Sequence, residues 1–378
     1  MNKIMIVPDS FKGTMTSSQV CEIINNTIKD YDSNIETLTL PIADGGEGTL
    51  ECIKNTLGWQ EISTEVKGPF GDIIAANYVI SCDETKTAII EAAQVIGLEL
   101  ATGNLNPCIA TTYGVGTLIK DAIMRGYTNI IIGLGGSCTN DCGAGAAAAL
   151  GTRFLDKDGN EFIPTGSTLE NVADIDTSSS DELMKNCTIT AMCDVSNPLY
   201  GPNGAASVYA PQKGADLEMV AILEQNLKAI SNKISTLLNK SVANIPGAGA
   251  CGGFGAGIVA FMNGQLTSGI DTLLDIVGFD NLVKGCSLVF TGEGRLDAQS
   301  LKGKAVIGIA SRVKALGIDA PVVAFVGSSK LDYHTAKEYG ISTIVPITPT
   351  YMLYEEARRT CFDNLKNAVV KYLLTSDM

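Results

Sequence analysis

Histidine is almost absent from this sequence, since His334 is the only one among 378 residues. A catalytic triad that depends on histidine, or a zinc site with histidine ligands, is therefore disfavoured. Positive charge is also scarce, because 27 Lys and Arg stand against 41 Asp and Glu, a net charge of −14. This balance argues against binding to nucleic acid or to an anionic membrane surface. An anionic substrate would have to be recognised locally, by a few cations, backbone N–H groups or a metal ion.

Long apolar runs are missing as well, and none approaches the ~18–20 residues that a membrane-spanning helix needs. The first residues, MNKIMIVPDS, are too short for a signal peptide and lack a small-residue cleavage site. The eleven cysteines contain no C-x-x-C motif and lie in apolar segments, as is typical of free thiols in a reducing compartment. We therefore expect a cytoplasmic protein with no membrane segment.

What the sequence has in abundance is an alternation of strand-like and helix-like segments at both ends of the chain, which indicates βα units and a parallel sheet. In the middle, GPFGD at 68–72 is followed by two strand-like runs in succession and by long glycine-rich loops. The pattern predicts an α/β fold in which residues 1–69 and 267–378 build a doubly wound, Rossmann-like parallel-sheet domain. Residues 70–266 are expected to form a mixed α/β domain inserted into it. The active site is expected in the cleft between them.

Three predicted strands are followed directly by acids and glycines, and two of the three also by a cation. These residues are Asp9, Ser10 and Lys12 after IMIVP, Asp44, Gly45 and Glu47 after LPIA, and Glu293, Arg295 and Asp297 after LVF. In an open parallel sheet, the carboxyl ends of the strands hold the ligand. We therefore expect these side chains to surround a ligand, with glycines that let a helix N-terminus approach it. A helix cap or a solvated charge is the alternative for each residue taken singly.

Three further loops lie in the predicted inserted domain. They contain Gly135, Gly136, Ser137, Thr139 and Asn140 in GLGGSCTND, Gly247, Gly249 and Gly252 in IPGAGACGGFG, and Asp194 at the end of TITAMC. Backbone N–H groups in such glycine loops can bind phosphate oxygens, although Asp141 could simply cap the helix that follows. The second loop also fits G-x-G-x-x-G, but without a clear preceding strand this is a weak dinucleotide signal, and no Walker A motif is present.

Uncharged glycine loops combined with lysine, arginine and carboxylates fit phosphoryl transfer better than other chemistries. Backbone N–H groups and cations can hold the phosphoryl oxygens. Carboxylates can bind Mg²⁺ through oxygen or accept a proton from the attacking hydroxyl group.

Six segments, in order, resemble the signature blocks of the bacterial glycerate kinase family, the type from glycolate and glucarate catabolism. They are PDSFKGTMTS, PIADGGEGT, GLGGSCTNDCGAG, CDVSNPLYGPNGAA with APQKGA, PGAGACGGFG and TGEGRLDAQSLKGK, which together span residues 8–304. The resemblance implies a kinase that uses ATP and Mg²⁺ to phosphorylate D-glycerate, with 2-phosphoglycerate favoured over 3-phosphoglycerate as the product. It also implies two α/β domains, one inserted into the other.

With this resemblance, each candidate residue has a hypothetical role. For the substrate, the candidates are Ser10, Lys12, Asp44, Gly45 and Arg295, with Lys12 as the main partner of the glycerate carboxylate. For catalysis, they are Lys12, Asp44 and Asp194, with Asp194 favoured as the base. For the phosphates of ATP, they are Gly135, Gly136, Ser137, Thr139, Asn140, Gly247, Gly249 and Gly252. For Mg²⁺, they are Asp194, Glu293 and Asp297.

Two other functions stay open at this point. One is a non-catalytic protein that binds a sugar acid or a nucleotide, and the other is a dinucleotide-dependent dehydrogenase of a small hydroxy acid. Release of ADP with and without D-glycerate separates all three. The sequence leaves the oligomeric state open, with a homodimer as one alternative.

Overall fold

The structure, a computed structural model, describes residues 3–43, 46, 48–298, 300–302, 304–349 and 352–376. The chain forms two compact units. Unit 1 comprises Met1–Asp44, Asn55–Leu57 and Ile270–Met378, and unit 2 comprises Gly45–Lys54 and Gly58–Gly269. Each unit contains its own sheet and its own buried apolar core.

The described residues form fourteen strands and fifteen α-helices. The strands are β1 (Lys3–Ile6), β2 (Glu36–Thr39), β3 (Gln60–Lys67), β4 (Ile73–Ile80), β5 (Thr87–Glu91), β6 (Asn129–Gly133), β7 (Arg153–Leu155), β8 (Glu161–Phe162), β9 (Asp174–Asp176), β10 (Thr188–Met192), β11 (Gln265–Thr267), β12 (Leu288–Leu296), β13 (Val322–Ser329) and β14 (Ile341–Pro346). The helices are α1 (Ser17–Tyr31), α2 (Thr49–Leu57), α3 (Ala93–Ile96), α4 (Tyr113–Met124), α5 (Ala144–Leu150), α6 (Ser178–Met184), α7 (Ala205–Tyr209), α8 (Leu217–Leu238), α9 (Ala250–Phe261), α10 (Gly269–Ile276), α11 (Phe279–Leu282), α12 (Ala305–Ala315), α13 (Tyr333–Glu338), α14 (Tyr354–Arg359) and α15 (Cys361–Ser376).

The sheet of unit 1 has five strands in the order β14-β13-β12-β1-β2, and every pairing is parallel. Numbered within the unit, this is the doubly wound order 2-1-3-4-5, as in flavodoxin-like folds. The order reverses between β1 and β12, where Ile6 pairs with Phe290. The predicted doubly wound parallel sheet is confirmed, and its reversal point is the position where such sheets bind ligands.

Local sequence signals explain how the first βα unit of this sheet forms. The side chains of Ile4 and Ile6 are fully buried in the core of the unit. Helix α1 begins with a capping box, because Thr16 Oγ1 accepts a hydrogen bond from Gln19 N over 3.2 Å and Gln19 Oε1 accepts one from Thr16 N over 2.9 Å. Two orphan N–H groups of the helix start are thereby satisfied.

Strand β12 is longer than the sequence indicated. The residues after Phe290 were expected to form a loop, but β12 continues to Leu296, which pairs with Ser329 of β13. Glycine allows this close pairing, because a Cβ atom at Gly292 would lie 2.4 Å from the carbonyl oxygen of Phe325. The two strand-end residues Glu293 and Arg295 therefore project from a strand rather than from a flexible turn.

The main sheet of unit 2 has six strands in the order β11-β10-β6-β5-β4-β3, and a small sheet has the order β8-β7-β9. Strands β3, β4 and β5 pair antiparallel, and the remaining pairs of the large sheet are parallel, so that the unit is a mixed α/β structure. Residues 60–67, which the sequence-based division assigned to the first domain, lie in this sheet because β3 pairs along its whole length with β4.

Candidate active site

The loop after β1 is held against β12 by backbone hydrogen bonds. The N–H group of Asp9 donates to the carbonyl oxygen of Gly292 over 2.9 Å, and Phe11 and Met15 exchange two backbone hydrogen bonds of 2.9 and 3.1 Å. Asp9 is buried, with 4 % of its surface exposed, whereas Lys12 is exposed near the tip of the loop. The loop therefore places a carboxyl group beside β12 and a cation further out.

Glu293 is a buried carboxyl group on β12, with 5 % of its surface exposed. Burial raises its pKa to about 7, and the nearby carboxylates of Asp9 and Asp297 act in the same direction. A hydrogen bond from Ser300 and the charge of Lys304 oppose this rise. Its Oε1 atom has no hydrogen-bond partner among the described residues. Glu293 thus titrates near neutral pH and has an oxygen that can accept a ligand.

A cavity of about 580 Å³ opens in unit 1 beyond the carboxyl ends of β1, β12, β13 and β14. Its lining combines acids, cations, hydroxyl groups and apolar side chains, among them Asp9, Ser10, Phe11, Lys12, Glu293, Arg295, Lys304, Ile347, Met352 and Arg358. Arg295 is also paired with Asp297, with its Nε atom 3.5 Å from Oδ2. The cavity therefore brings together five residues named in the sequence analysis: Asp9, Ser10, Lys12, Glu293 and Arg295.

Two cations of this cavity were missed by the sequence analysis. Lys304 comes directly before α12, at the end of the segment TGEGRLDAQSLKGK, and Arg358 lies on α14. The position of Lys304 after a glycine was a signal that could have been used. Arg358 had none, because it lies in a charged helix with no glycine loop beside it.

In unit 2, the glycine loop after β6 is organised around Asp141, which is completely buried. Its Oδ2 atom accepts hydrogen bonds from Thr112 N and Thr112 Oγ1 over 2.8 Å each and from Gly145 N over 3.2 Å, while Oδ1 accepts one from Gly143 N over 3.2 Å. Asp141 thus satisfies backbone donors at the starts of α4 and α5. The helix-cap interpretation is confirmed for this residue.

Lys213 is a functional candidate that the sequence analysis quoted in APQKGA without giving it a role. Only 2 % of its surface is exposed. Its Nζ atom donates hydrogen bonds to Ser137 Oγ over 3.0 Å and to the carbonyl oxygen of Thr139 over 2.7 Å. Burial lowers the pKa of this ammonium group, although Cys251, Cys138 and Asp141 act to raise it. Sequence offers no signal for a buried lysine, because its partners lie more than seventy positions away.

The other polar residues of this loop are buried as well. Ser137, Thr139 and Asn140 have almost no exposed surface, whereas Gly136 is exposed and Gly135 is half-buried. Neither Thr139 Oγ1 nor the two amide atoms of Asn140 have a hydrogen-bond partner among the described residues. The loop therefore presents backbone rather than side chains to the exterior.

The second glycine segment packs directly against the first. A Cβ atom at Gly252 would lie 2.0 Å from the carbonyl oxygen of Thr139, and one at Gly249 would lie 2.4 Å from that of Pro198. Gly247 has a φ of 89°, and a Cβ there would lie 2.9 Å from Cys193 Sγ. Close packing of backbone on backbone thus requires glycine at positions 249 and 252, whereas at position 247 the positive φ favours it.

The predicted base, Asp194, lies just after β10 and is half-buried. Its Oδ1 atom accepts a hydrogen bond from Gly269 N over 2.9 Å, which fixes the orientation of the carboxylate. The predicted residues Asp44 and Gly45 lie outside the described residues. Helix α2 begins a few residues further along the chain. There the N–H group of Leu50 donates to Oε1 of the buried Glu91 over 2.8 Å, so that a protein carboxylate accepts a hydrogen bond from this helix N-terminus.

The predicted Mg²⁺ ligands fall in different units: Glu293 and Asp297 belong to unit 1, and Asp194 to unit 2. Within the described ranges, no three His, Cys, Asp or Glu side chains are grouped so as to hold a metal ion. Mg²⁺ in phosphoryl-transfer sites commonly takes only one or two protein carboxylates, together with water and substrate phosphates. The acids Asp9, Glu293 and Asp297, with the unpartnered Oε1 of Glu293, fit this smaller requirement.

Unit 1 thus has the ligand-binding edge of a doubly wound α/β enzyme, with acids, cations and a cavity beyond the carboxyl ends of its strands. The sequence of the chain matches the model of the glycerate kinase family over residues 4–374, and the chain belongs to this family. The expected family is confirmed. The protein is an enzyme of glycerate phosphorylation.

Relatives and a solved structure agree with this assignment. A glycerate kinase of Halalkalibacterium halodurans is 42 % identical over 94 % of this chain and 93 % of its own length. A glycerate 2-kinase of Escherichia coli is 40 % identical over 97 % and 96 %. The crystal structure of a protein assigned as glycerate kinase 2 from Salmonella typhimurium LT2 superposes with a TM-score of 0.86 at 35 % identity and covers both chains fully. Across the described helices, none has the length and apolar character of a membrane span.

Proposed function

We propose that the protein transfers the γ-phosphoryl group of ATP to D-glycerate in the presence of Mg²⁺ and that the product is 2-phosphoglycerate. The observation that carries this proposal is the buried Glu293, with a pKa of about 7, in a cavity that also holds Asp9, Lys12, Arg295 and Lys304. Kinases combine carboxylates that hold Mg²⁺ with cations that neutralise the transferring phosphoryl group. The name of the Escherichia coli relative, glycerate 2-kinase, supports attack by the 2-hydroxyl group.

The side chains of unit 1 have two tasks in this proposal. Glu293, together with Asp9 or Asp297, would hold Mg²⁺, which when bound would neutralise phosphate charge. Lys12, Arg295 and Lys304 contact anionic oxygens of the reactants and hold them in place. Glu293 would hold the metal ion in its deprotonated form, because a carboxyl group binds a metal ion when it is charged.

Asp194 of unit 2 is the proposed general base. The attacking hydroxyl oxygen forms a bond to the γ-phosphorus, the bond from that phosphorus to the β–γ bridging oxygen breaks, and the hydroxyl proton passes to the carboxylate. The hydrogen bond from Gly269 N to Asp194 Oδ1 supports this role, because it holds the carboxylate in one orientation.

A coupled assay tests the function. Release of ADP from ATP should require both D-glycerate and Mg²⁺. Adding enolase alone should convert the product to phosphoenolpyruvate, because enolase acts on 2-phosphoglycerate directly. ADP release that is independent of D-glycerate contradicts the proposed activity, and phosphoenolpyruvate that appears only when a phosphoglycerate mutase is added as well contradicts the proposed product.

A further inference from the structure

We infer that the cavity of unit 1 binds the nucleotide, a purine nucleoside triphosphate, with its base against the apolar side chains of the lining and its phosphates against the cations. This inference rests on the proposed function and assigns one of its two reactants to a place in the fold. It also gives Lys12 and Arg295 a role toward phosphate instead of the role toward the glycerate carboxylate that the sequence suggested.

Topology is the first argument. The strand order of unit 1 reverses between β1 and β12, and the loop after β1 and the carboxyl-terminal part of β12 line the cavity. In doubly wound sheets of the order 2-1-3-4-5, a mononucleotide binds at this reversal point. The cavity therefore occupies the position where this topology holds nucleotides.

Size and polarity are the second argument. The cavity measures about 580 Å³, within the roughly 300–1,000 Å³ of sites that enclose a drug-sized ligand. Its lining includes five apolar side chains, those of Phe11, Ile347, Met352, Ala357 and Cys361. Glycerate has a carboxylate, two hydroxyl groups and only three carbon atoms, so that it would leave apolar side chains of this lining in contact with water. A purine ring can cover them.

Charge is the third argument. Four cations line the cavity, namely Lys12, Arg295, Lys304 and Arg358. One glycerate carboxylate needs a single cation, whereas a triphosphate carries several negative charges along its length. The carboxyl groups of Asp9 and Glu293 lie in the same cavity and suit the Mg²⁺ that accompanies a nucleoside triphosphate. The second glycine segment of unit 2, with Gly247, Gly249 and Gly252, then keeps the packing role described above.

The test uses a variant that fills part of the cavity without replacing a charged group. Ala357→Trp on α14 should raise the KM for ATP on the order of tenfold or more, while the KM for D-glycerate and kcat at saturating ATP stay within about twofold. The control is Ala221→Trp at an exposed position of α8, which should leave all three constants unchanged. An increase confined to the KM for D-glycerate, or no change in either KM, would overturn the inference.

A direct binding measurement tests the inference even if Ala357→Trp does not fold. A fluorescent ADP analogue should bind the wild-type enzyme and be displaced by ATP but not by D-glycerate. Its affinity should fall at least severalfold in Arg358→Ala. Displacement by D-glycerate, or unchanged affinity in Arg358→Ala, overturns the inference. If the wild-type enzyme binds the analogue but does not phosphorylate D-glycerate, the proposed function fails while the nucleotide site stands.

Discussion

The Nζ atom of Lys213 lies 3.0 Å from the Oγ atom of Ser137 and donates a hydrogen bond to it. The same ammonium group donates to the carbonyl oxygen of Thr139 over 2.7 Å. One buried cation thus binds the residues on both sides of Cys138, Ser137 and Thr139, in the glycine loop that follows β6. The relationship joins two of the segments by which the chain resembles its family.

Replacing Lys213 should destabilise this loop. Lys213→Met leaves two buried acceptors without their donor, a change that typically costs about 1–3 kcal/mol. The unfolding free energy in urea should therefore fall by this amount, and kcat should fall with it. Lys213→Arg should recover part of the stability, and the control Lys228→Met, on an exposed face of α8, should unfold like the wild type. Equal stability of Lys213→Met and Lys228→Met would show that the buried hydrogen bonds contribute nothing.

Removal of the Glu293 carboxyl group should stabilise the protein while it abolishes activity. The pKa of this group rises from 4.5 to about 7 on folding, so that the native state binds more protons than the unfolded state between these values. Wild-type stability therefore falls as the pH rises through this window. Since one pKa unit corresponds to about 1.4 kcal/mol, Glu293→Gln should be more stable by up to about 3 kcal/mol above pH 7.

The measurement is the unfolding free energy of both proteins between pH 4.5 and pH 8, in EDTA and without nucleotide. The difference should grow with pH and level off above the pKa of Glu293. The exposed Glu84→Gln serves as the control and should show no such growth. A constant difference across the whole range would mean that the folded protein does not raise the pKa of Glu293.

Two glycine-to-alanine substitutions should distinguish a glycine that close packing requires from a glycine with room for a side chain. At Gly249 the added Cβ atom would lie 2.4 Å from a carbonyl oxygen, whereas at Gly135 the nearest atom is Gly46 Cα at 3.6 Å. Overpacking of this kind typically costs about 1–3 kcal/mol. Gly249→Ala should thus lower the thermal midpoint by several degrees, and Gly135→Ala should leave it nearly unchanged. The opposite ranking would contradict the packing role of the second glycine segment.

Asp194→Asn should identify the base. If Asp194 accepts the hydroxyl proton, kcat should fall by about 10²–10⁴, while the amide oxygen can still accept the hydrogen bond from Gly269. Steady-state kinetics at several Mg²⁺ concentrations measure this, with the exposed Asp158→Asn as the matched control. Recovery of the rate at high Mg²⁺ would make Asp194 a metal ligand instead, and a normal kcat would remove it from catalysis.

Much of the fold could be predicted because its signals are local. The alternation of apolar strands with helices indicated the doubly wound sheet, and the spacing of Thr16 and Gln19 is the sequence pattern of the capping box that starts α1. Both patterns depend on neighbours within a few residues. The acids and cations after β1 and in the carboxyl-terminal part of β12 were likewise found from position alone, because the carboxyl ends of parallel strands meet at one edge. Their convergence on one cavity followed from the same rule.

Tertiary structure decided the features that depend on partners far along the chain. Residues 60–67 could be placed only through their pairing with β4, and β12 extends to Leu296 because β13 supplies hydrogen bonds along that length. Glu293 titrates near pH 7 because folding removes it from water, and Lys213 is buried because Ser137 and Thr139 accept its hydrogen bonds. Desolvation and long-range pairing are properties of the folded chain, and no short stretch of sequence carries them.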